Sequence, residues 1–294
     1  MTENDWLAER FEENRGRLRG VAYRMLGSLS EADDAIQEAW IRLSRSDPGS
    51  IENLAGWLTT VVARVCLDML RSRTSRREES LDERVPASAA KPSEAIDPEQ
   101  EALLADSVGL ALLVVLDRLT PAERLAFVLH DMFALPFDEI ASIVGRSATA
   151  VRQLASRARR RVQGAAAVPG ADLSQQRKMI DAFLAALRGD DLEALIVLLD
   201  PEIMVRADEA SVPSGALQDV HGAREWAKQA LNFSRGAKFA RPALVNGTVG
   251  VVVAPRGRLF RVLTFTIVGG KIAGIEVIGD PSRLRDLNVA VLNP

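Results

Sequence analysis

The stretch "PFDEIASIVGRSATAVRQLASRARRRV", residues 136–162, contains two short helical patterns separated by Gly145. Before the glycine, Phe137, Ile140 and Ala141 recur at helical spacing on one apolar side. After it, apolar residues recur at the same spacing, at Val151, Leu154, Ala155, Ala158 and Val162. A helix, a tight glycine-containing turn and a second helix together predict a helix-turn-helix.

The segment just before this motif, "LTPAER" (119–124), carries the signature of a helix start. Thr120 is suited to the N-cap, Pro121 to the first helical position, and Glu123 to closing a capping box. Together the two segments predict a compact helical domain, which we place at residues 103–164.

The second helix of the motif concentrates positive charge. Residues 145–162 contain six arginines and no acidic residue, whereas the whole chain has a formal net charge of −3. An exposed helix normally mixes the two signs, because opposite charges four residues apart stabilise it and like charges repel. A solvated surface helix is the alternative, since arginine favours helices. The absence of acids favours contact with nucleic acid.

The outward face of this helix carries residue types that read DNA. Arginine can bind guanine with two hydrogen bonds and glutamine can pair with adenine. We predict that Arg152, Gln153, Ser156 and Arg157 meet base edges, and that the remaining arginines hold phosphates and make binding salt-dependent. The full predicted set is Arg146, Ser147, Thr149, Arg152, Gln153, Ser156, Arg157, Arg159, Arg160 and Arg161.

The composition excludes several other classes of protein. At 294 residues the length suggests about two or three domains, and 47% hydrophobic residues provide for a sizeable core. With Cys66 as the single cysteine and only His130 and His221 as histidines, neither a disulfide framework nor a metal site is expected, and no cofactor. The N-terminus lacks a secretory signal and no apolar run could span a membrane, so we expect a cytoplasmic protein.

Residues 1–76 form the first predicted domain, which is helical throughout. In "SLSEADDAIQEAWIRL" (28–43), apolar residues share one stripe and Ser30 is the predicted N-cap. A loop rich in serine, proline and glycine is predicted at 44–53. The stripe of the first helix is Ala32, Ala35, Ile36, Ala39, Trp40 and Leu43. The inward residues of the helix after the loop are Leu58, Val61, Val62, Val65 and Met69.

Two charged clusters of opposite sign lie in this domain. Near the end of its last helix five arginines oppose only Asp68, and they are Arg64, Arg71, Arg73, Arg76 and Arg77. Favourable placement at a helix C-terminus explains them as well as a second DNA-binding surface does. On the earlier helix Asp34, Gln37 and Glu38 share a face. With no histidine nearby, a solvated or partner-facing surface is favoured there over acid–base chemistry.

Two linkers and a third domain complete the chain. Residues 77–102 carry prolines, charges and small residues with little apolar periodicity, which predicts a flexible linker. A shorter linker is predicted at 165–173. Residues 174–294 begin with helices and then favour strands, with hairpin signals at Asn246-Gly247 and Gly269-Gly270. We therefore predict an α+β cone after two all-α domains.

About the first 165 residues resemble a known family. "GVAYRMLGSLSEADDAIQEAWIRL" (20–43) and "AGWLTTVVARVCLDMLRSR" (55–73) resemble region 2 of the extracytoplasmic-function (ECF) sigma factors of the sigma-70 family. "LTPAERLAFVLHDMFALPFDEIASIVGRSATAVRQLASRARRRV" (119–162) resembles their region 4. The resemblance is specific, because two motif-rich blocks occur in the right order and at the right separation.

This resemblance implies a bacterial promoter-recognition subunit whose partners are core RNA polymerase and promoter DNA. Region 4 would read the minus-35 element through the helix-turn-helix. The polymerase contacts would be Asp33, Asp34, Gln37 and Glu38. The loop 44–53 and the helix after it would capture and melt the minus-10 element, with Asn53, Trp57, Arg64, Arg71 and Arg73 as candidate contacts. For Trp57 a place in the core is an equal alternative.

The last block resembles the SnoaL-like, nuclear-transport-factor-like cone that a subgroup of these sigma factors carries in place of a separate anti-sigma partner. The resemblance implies that this domain modulates activity. The subgroup's tail motif Asn-Pro-Asp-Lys-Leu is approximated at 280–284, so Asp280, Pro281, Arg283 and Leu284 are candidate regulatory residues. Its Asp-Gly-Gly-Gly-Lys and Trp-Leu-Pro motifs are missing, and the regulatory mechanism does not transfer residue by residue.

Two other functions remain as alternatives. A one-component helix-turn-helix regulator with a ligand-sensing C-terminal domain would bind DNA tightly without polymerase. A cone-fold enzyme would use Asp208, Glu209 and His221 as acid–base residues by type. Catalysis is disfavoured, because the first two lie in a loop-like segment and His221 stands at a predicted helix start, where capping or packing is common. Whether the cone binds a small ligand stays open.

Overall fold

The computed structural model divides into two compact units. The helical unit combines the residues up to Leu104 with Leu116–Arg160, and the C-terminal unit combines Ala105–Val115 with the residues from Arg161 onward. All-α segments precede an α+β unit, which confirms the predicted fold class. The residues described are 3–46, 51–82, 109–164, 172–211 and 219–292.

Helices account for the described chain up to residue 163. They are α1 (Glu3–Leu26), α2 (Leu29–Ser44), α3 (Leu54–Asp82), α4 (Leu110–Asp117), α5 (Pro121–Phe127), α6 (Phe137–Val144) and α7 (Ala148–Gln163), with a π-helical turn at Val128–Met132. Apolar periodicity and capping motifs do not predict this π-helical turn.

Helix α2 buries the predicted stripe, and Trp40 packs edge-on against Phe11 with ring centroids 5.1 Å apart. Its N-cap is Ser28, whose hydroxyl accepts a hydrogen bond from the Glu31 backbone N–H, so the predicted cap at Ser30 is wrong. The reason is that Leu29 also belongs to the buried stripe. Burying Leu29 starts the helix two residues earlier than predicted and leaves Ser30 inside it.

Helix α3 continues further than the sequence predicts. Its inward residues are buried as expected from Leu58 to Val65, and Met69 is half-buried. The helix extends to Asp82, so residues 77–82 of the predicted linker are helical. Arginine and glutamate there are good helix formers, and no proline or glycine interrupts the segment. The rest of that linker, and residues 47–50 of the predicted loop, lie outside the described residues.

The helix-turn-helix forms where it is predicted. Thr120 and Glu123 make the reciprocal capping box, with Pro121 in the first turn of α5. Gly145 ends α6 with φ of 71°, a left-handed conformation that glycine adopts without steric cost. Helix α7 then buries Val151, Leu154, Ala155 and Ala158, while the predicted inward residue Val162 is half-buried.

The C-terminal unit is a seven-stranded sheet with helices against it. The strand order is β2-β1-β6-β5-β4-β3-β7, with β1 and β6 parallel and the other neighbours antiparallel. The helices are α8 (Leu173–Arg188), α9 (Leu192–Leu198), α10 (Ala223–Leu231) and α11 (Pro281–Asp286). The strands are β1 (Leu199–Ala207), β2 (Asp219–His221), β3 (Ala240–Val245), β4 (Thr248–Val253), β5 (Arg261–Val268), β6 (Lys271–Ile278) and β7 (Val289–Ala290).

Both predicted hairpins are present. Asn246 and Gly247 join β3 to β4 with φ of 50° and 85°, and Gly269 and Gly270 join β5 to β6 with φ of 58° and 77°. Positive φ at both central residues defines the type I′ turn, whose twist matches that of the flanking strands. The short strands β2 and β7 and the helix α11 are too brief to leave a periodic pattern in the sequence.

The sheet has an apolar core on each face. Val251 packs with α8 and α10 on one face, while Val252 faces the other way, because successive strand residues point to opposite sides. The second core contains Leu110, Val114 and Val115 of α4. Helix α4 is apolar all round, and a helix of that kind must be covered on several sides.

Candidate nucleic-acid interface

The solvent-facing side of α7 carries most of the predicted base-reading residues. Arg152, Gln153 and Arg157 are exposed, as is Thr149 one turn earlier, and Ser156 is half-buried. Their apolar neighbours on the same helix are buried, which fixes the direction in which these polar side chains point. Helix α7 therefore presents a cationic and amide-bearing face without an acid.

The remaining arginines of α7 differ in how far the fold already engages them. The Arg159 guanidinium lies 2.5 Å from Asp131 Oδ1, so it is paired within the helical unit. The Arg160 Nε donates to the Ser156 carbonyl oxygen at 3.5 Å. The Arg152 guanidinium lies over the Phe137 ring, with Cζ 5.5 Å from the ring centroid. This cation–π contact does not use the N–H groups of Arg152 as hydrogen-bond donors. Of these three, Arg159 is the one with a charged partner.

The predicted minus-10 residues of α3 have unequal surroundings. Arg73 donates to the Leu26 carbonyl oxygen at 3.1 Å and pairs with Glu31, so it ties α3 to the first two helices. Arg64 is exposed and donates to the Ser142 carbonyl oxygen of α6 at 3.3 Å. Arg71 is exposed, with Asp68 3.8 Å away on the same helix. Arg76 and Arg77 have no described side chains.

At the start of α3, Asn53 has a capping role. Its Oδ1 accepts a hydrogen bond from the Gly56 backbone N–H at 3.0 Å, while its side chain remains exposed. Trp57, one turn into the helix, is half-buried. The structure thus places Trp57 between the two alternatives, neither inside the core nor fully on the surface.

One open groove brings together arginines from both sequence blocks. Arg71 of α3, Arg146 of the turn and Arg157 of α7 line it, with the start of α5 at Thr120 as another wall. Arg71 comes from a different sequence block than Arg146 and Arg157, and the helical unit brings the three residues to one groove, which Glu123 also lines. Their convergence concentrates positive potential, which attracts anions such as phosphate.

The acidic face of α2 keeps only part of its charge free for a partner. Asp33 pairs with Arg19 at 2.9 Å and Glu38 pairs with Arg42 at 2.8 Å. Asp34 and Gln37 are exposed. We therefore regard Asp34 and Gln37 as the most accessible of the four predicted polymerase contacts.

A buried arginine that sequence patterns do not reveal joins the two blocks of the helical unit. Arg124 of α5 is 3% exposed, donates from Nε to the Arg24 carbonyl oxygen at 3.0 Å and lies 3.6 Å from Asp117. Burial lowers the pKa of Arg124 to about 10, and Asp117 opposes this. Burial likewise raises the pKa of the nearby Cys66 thiol to about 12. Arg124 is therefore structural, although it stands one residue after the capping box.

The tail residues anchor the short helix α11. Asp280 is its N-cap and accepts hydrogen bonds from the Ser282 and Arg283 backbone N–H groups, each at 2.9 Å. Arg283 pairs with Glu276 and with Asp208. Leu284 is buried in the core that also contains α4. Pro281 occupies the first turn of α11.

Two of the three acid–base candidates, Asp208 and His221, have well-defined surroundings. Asp208 accepts hydrogen bonds from the Ser211 hydroxyl at 2.6 Å and from the Gly279 and Asp280 backbone N–H groups at 3.0 Å. Partial burial by itself would raise the pKa of Asp208, but these bonds outweigh it and lower the pKa. His221 is exposed and is the last residue of strand β2, directly before Gly222, the N-cap of α10.

Neither a metal cluster nor a membrane helix is found in the part of the chain that is described. No three histidine, cysteine, aspartate or glutamate side chains there come together as ligands would. No helix among the same residues is long and apolar enough to cross a bilayer.

Comparison with known proteins finds matches in two parts of the chain. Two family models match, Sigma-70 region 2 over residues 10–76 and Sigma-70, region 4 over residues 109–162. "Probable ECF RNA polymerase sigma factor SigI" of Mycobacterium tuberculosis is 35% identical over 288 residues, which cover 98% of this chain and 98% of that protein. "ECF RNA polymerase sigma factor SigJ" of the same species is 35% identical over 286 residues, covering 93% and 91%.

Solved structures provide two further likenesses. The crystal structure of M. tuberculosis SigJ covers 95% of this chain and 98% of its own, with 30% identity and a TM-score of 0.46. An NTF2-like protein of unknown function from Cytophaga hutchinsonii covers 38% of this chain and 95% of its own, with 14% identity and a TM-score of 0.27.

Proposed function

The chain belongs to the ECF RNA polymerase sigma factors, and we propose that it directs core polymerase to promoters through the exposed face of α7 and the α3 region. The observation that carries the proposal is the acid-free outward face of α7, where Arg152, Gln153 and Arg157 are exposed above a buried apolar stripe. Arginine and glutamine at such positions can hydrogen-bond to guanine and adenine edges.

Promoter recognition divides between the two sequence blocks in this proposal. Helix α7 reads the minus-35 element, and Asn53, Trp57, Arg64 and Arg71 contact the minus-10 element. The half-buried Trp57 next to the exposed end of α3 supports a role in stacking on an unpaired base. Arg73, which is bound to Glu31 and the Leu26 carbonyl oxygen, would orient α3 more than it touches DNA.

Polymerase binding is assigned to the acidic face of α2. The exposure of Asp34 and Gln37 supports them as the direct contacts, and the salt bridges of Asp33 and Glu38 support a role in stiffening that face. The chain carries out no catalysis of its own in this proposal, and it acts in the cytoplasm, where bacterial polymerase transcribes.

The C-terminal unit modulates this activity. Supporting this, α4 lies within the segment that matches region 4, yet Leu110, Val114 and Val115 pack in a core with the C-terminal sheet. A change in that sheet would therefore reach the helix that begins region 4.

A transcription experiment tests promoter recognition. Full-length protein is combined with core bacterial polymerase on a library of promoter fragments, and transcripts are sequenced. We expect promoter-specific initiation, and replacing Arg152 or Arg157 with alanine should cost about 1–3 kcal/mol of discrimination at one base pair. Arg224→Ala, which removes an exposed arginine of α10, is the matched control and should leave initiation unchanged.

Three results would contradict parts of the proposal. If the chain forms no holoenzyme with core polymerase, its assignment as a working sigma factor fails. If tight, specific DNA binding occurs without polymerase, the one-component regulator becomes the better explanation. Equal losses with Arg152→Ala and Arg224→Ala would show that α7 contributes charge alone.

A further inference from the structure

The C-terminal unit contains a cavity that promoter recognition does not use. Its volume is about 420 Å³, which lies within the usual range for small-molecule sites. Phe183 of α8 and Trp226 of α10 line one side, and Val251, Val253 and Leu263 of the sheet line another. The walls are therefore mainly apolar and aromatic.

Arg261 is the one charged side chain among the described residues that line this cavity. It stands at the start of β5, and its guanidinium lies over the rings of Phe260 and Phe233, at 4.8 and 5.9 Å from their centroids. Two rings in cation–π contact restrict the directions that the guanidinium can take. The positive charge is thereby held in a site whose other lining residues are mainly apolar, with Ser211, Gln229 and Asn232 as neutral polar exceptions.

The hydrogen-bonding capacity of Arg261 is not used up by the fold. Its Nε is buried and has no hydrogen-bond partner among the residues that the structure describes. The Arg261 residue as a whole is half-buried, but a buried polar atom without a partner is costly, and most such atoms in proteins find one. This donor is therefore open to an acceptor that none of the described residues supplies.

The carboxylate of Asp208, whose charge acts on Arg261, does not serve as that acceptor. Asp208 influences Arg261 electrostatically, but its carboxylate oxygens already accept hydrogen bonds from Ser211, Gly279 and Asp280. Asp208 also pairs with Arg283 at 3.5 Å. These contacts hold Asp208 on α11, and they leave Arg261 to bind another anion.

We propose that the cavity binds an apolar carboxylate, whose hydrocarbon body fills the lumen and whose carboxylate accepts hydrogen bonds from Arg261. The apolar walls favour a ligand that leaves water through its hydrocarbon part. The planar guanidinium fork matches a carboxylate with two parallel hydrogen bonds, which a neutral head group cannot reproduce. The site thus selects for one negative charge at one end of an apolar molecule.

The position of the cavity gives such a ligand a route to the rest of the protein. Val251 and Val253 of β4 line the cavity, whereas Val252 between them belongs to the core that contains Leu110 and Val114 of α4. One strand therefore separates the ligand from the helix that begins the region 4 match. The binding site itself does not depend on the proposed promoter contacts.

Isothermal titration calorimetry with the full-length protein tests the proposal. The probes are decanoate and naphthalene-2-carboxylate, each compared with the neutral alcohol of the same skeleton. We expect both carboxylates to bind native protein more tightly than their alcohols. Arg261→Met should weaken carboxylate binding by about tenfold or more and leave alcohol binding unchanged. Arg258→Met, which removes an exposed arginine outside the cavity, should behave as native.

Further variants separate loss of the site from loss of the fold. Arg261→Lys keeps the charge and should retain part of the carboxylate preference. It serves as the test variant if Arg261→Met proves unstable. Val253→Phe should fill the lumen and weaken all four probes together. The proposal is overturned if neither carboxylate binds native protein, if alcohols bind as well as carboxylates, or if Arg261→Met binds carboxylates as tightly as native protein. Transcription assays are not needed for any of these outcomes.

Discussion

Arg124 and Arg159 carry the same charge as the exposed arginines of α7, but each is bound within the fold. Arg124 holds the Arg24 carbonyl oxygen from a buried position, and Arg159 pairs with Asp131. Sequence patterns treat all arginines in a cationic segment alike. Arg152 and Arg157 differ in two ways. Their positions on the helix place them on the side opposite the buried stripe, and no acid among the described residues lies within salt-bridge distance of them.

Asp208 provides a prediction at the scale of one residue. Asp208→Asn should destabilise the C-terminal unit by about 2 kcal/mol at neutral pH, because a charged acceptor of three hydrogen-bond donors is lost. Chemical denaturation at several pH values measures this. Asp219→Asn, at an exposed residue beside Arg206, is the matched control and should change stability little.

The pH dependence of that effect has a definite sign. Because the folded-state pKa of Asp208 is lowered, its ionised form stabilises the folded protein above the ordinary aspartate pKa of about 3.9. The contribution is lost as the pH falls through the folded-state value. The difference between native protein and Asp208→Asn should therefore shrink in acid, and a constant difference down to low pH would contradict this role.

At the scale of elements, α4 and α11 show how tertiary contacts assign a helix. The sequence places α4 at the start of the helix-turn-helix domain, but Leu110–Val115 groups with the C-terminal unit. Helix α11 is only a few residues long and has no pattern of its own; the Asp280 cap and the burial of Leu284 define it. Both helices contribute to the same core, on the face of the sheet to which Val252 points.

Leu284 gives the prediction for this core. Leu284→Ala should lower the free energy of unfolding by about 3 kcal/mol, since it removes a buried side chain that packs in the core with α4. Thermal or chemical unfolding measures the loss. Val268→Ala, at a position that is 60% exposed beside a hairpin turn, is the control and should have a small effect. Equal effects of the two substitutions would show that this core adds little.

For the whole molecule, the central question is whether the C-terminal unit changes transcription. Removal of the chain after about residue 170 would take the sheet away from Leu110, Val114 and Val115 and expose their apolar side chains to water. We therefore expect promoter output of the truncated protein to differ strongly from that of the full chain in transcription with core polymerase. Unchanged output would refute modulation by this unit.

The truncation needs a control for solubility. A second truncated protein carrying Leu110→Gln and Val114→Gln covers the case in which uncovered apolar surface causes aggregation. If this soluble variant also differs from the full chain, the change reflects lost regulation. If it restores full-length output, aggregation of the simple truncation explains the difference, and the proposed modulation fails.

The sequence by itself determined the family, the helix-turn-helix, the two glycine-containing hairpins and the α+β character of the last block. All of these depend on local rules: capping, apolar periodicity and the freedom of glycine and asparagine at positive φ. Similarity to the two M. tuberculosis sigma factors over nearly the whole chain confirms the family.

Only the tertiary structure decided which charged groups are already paired, which helix belongs to which unit, and that Arg261 keeps an orphaned donor in an apolar cavity. Those facts depend on which distant residues meet, such as Arg124 with Arg24 or Val252 with α4. The pattern within a segment records which face is buried. It does not identify the element that packs against that face, because any apolar surface of suitable shape can bury it.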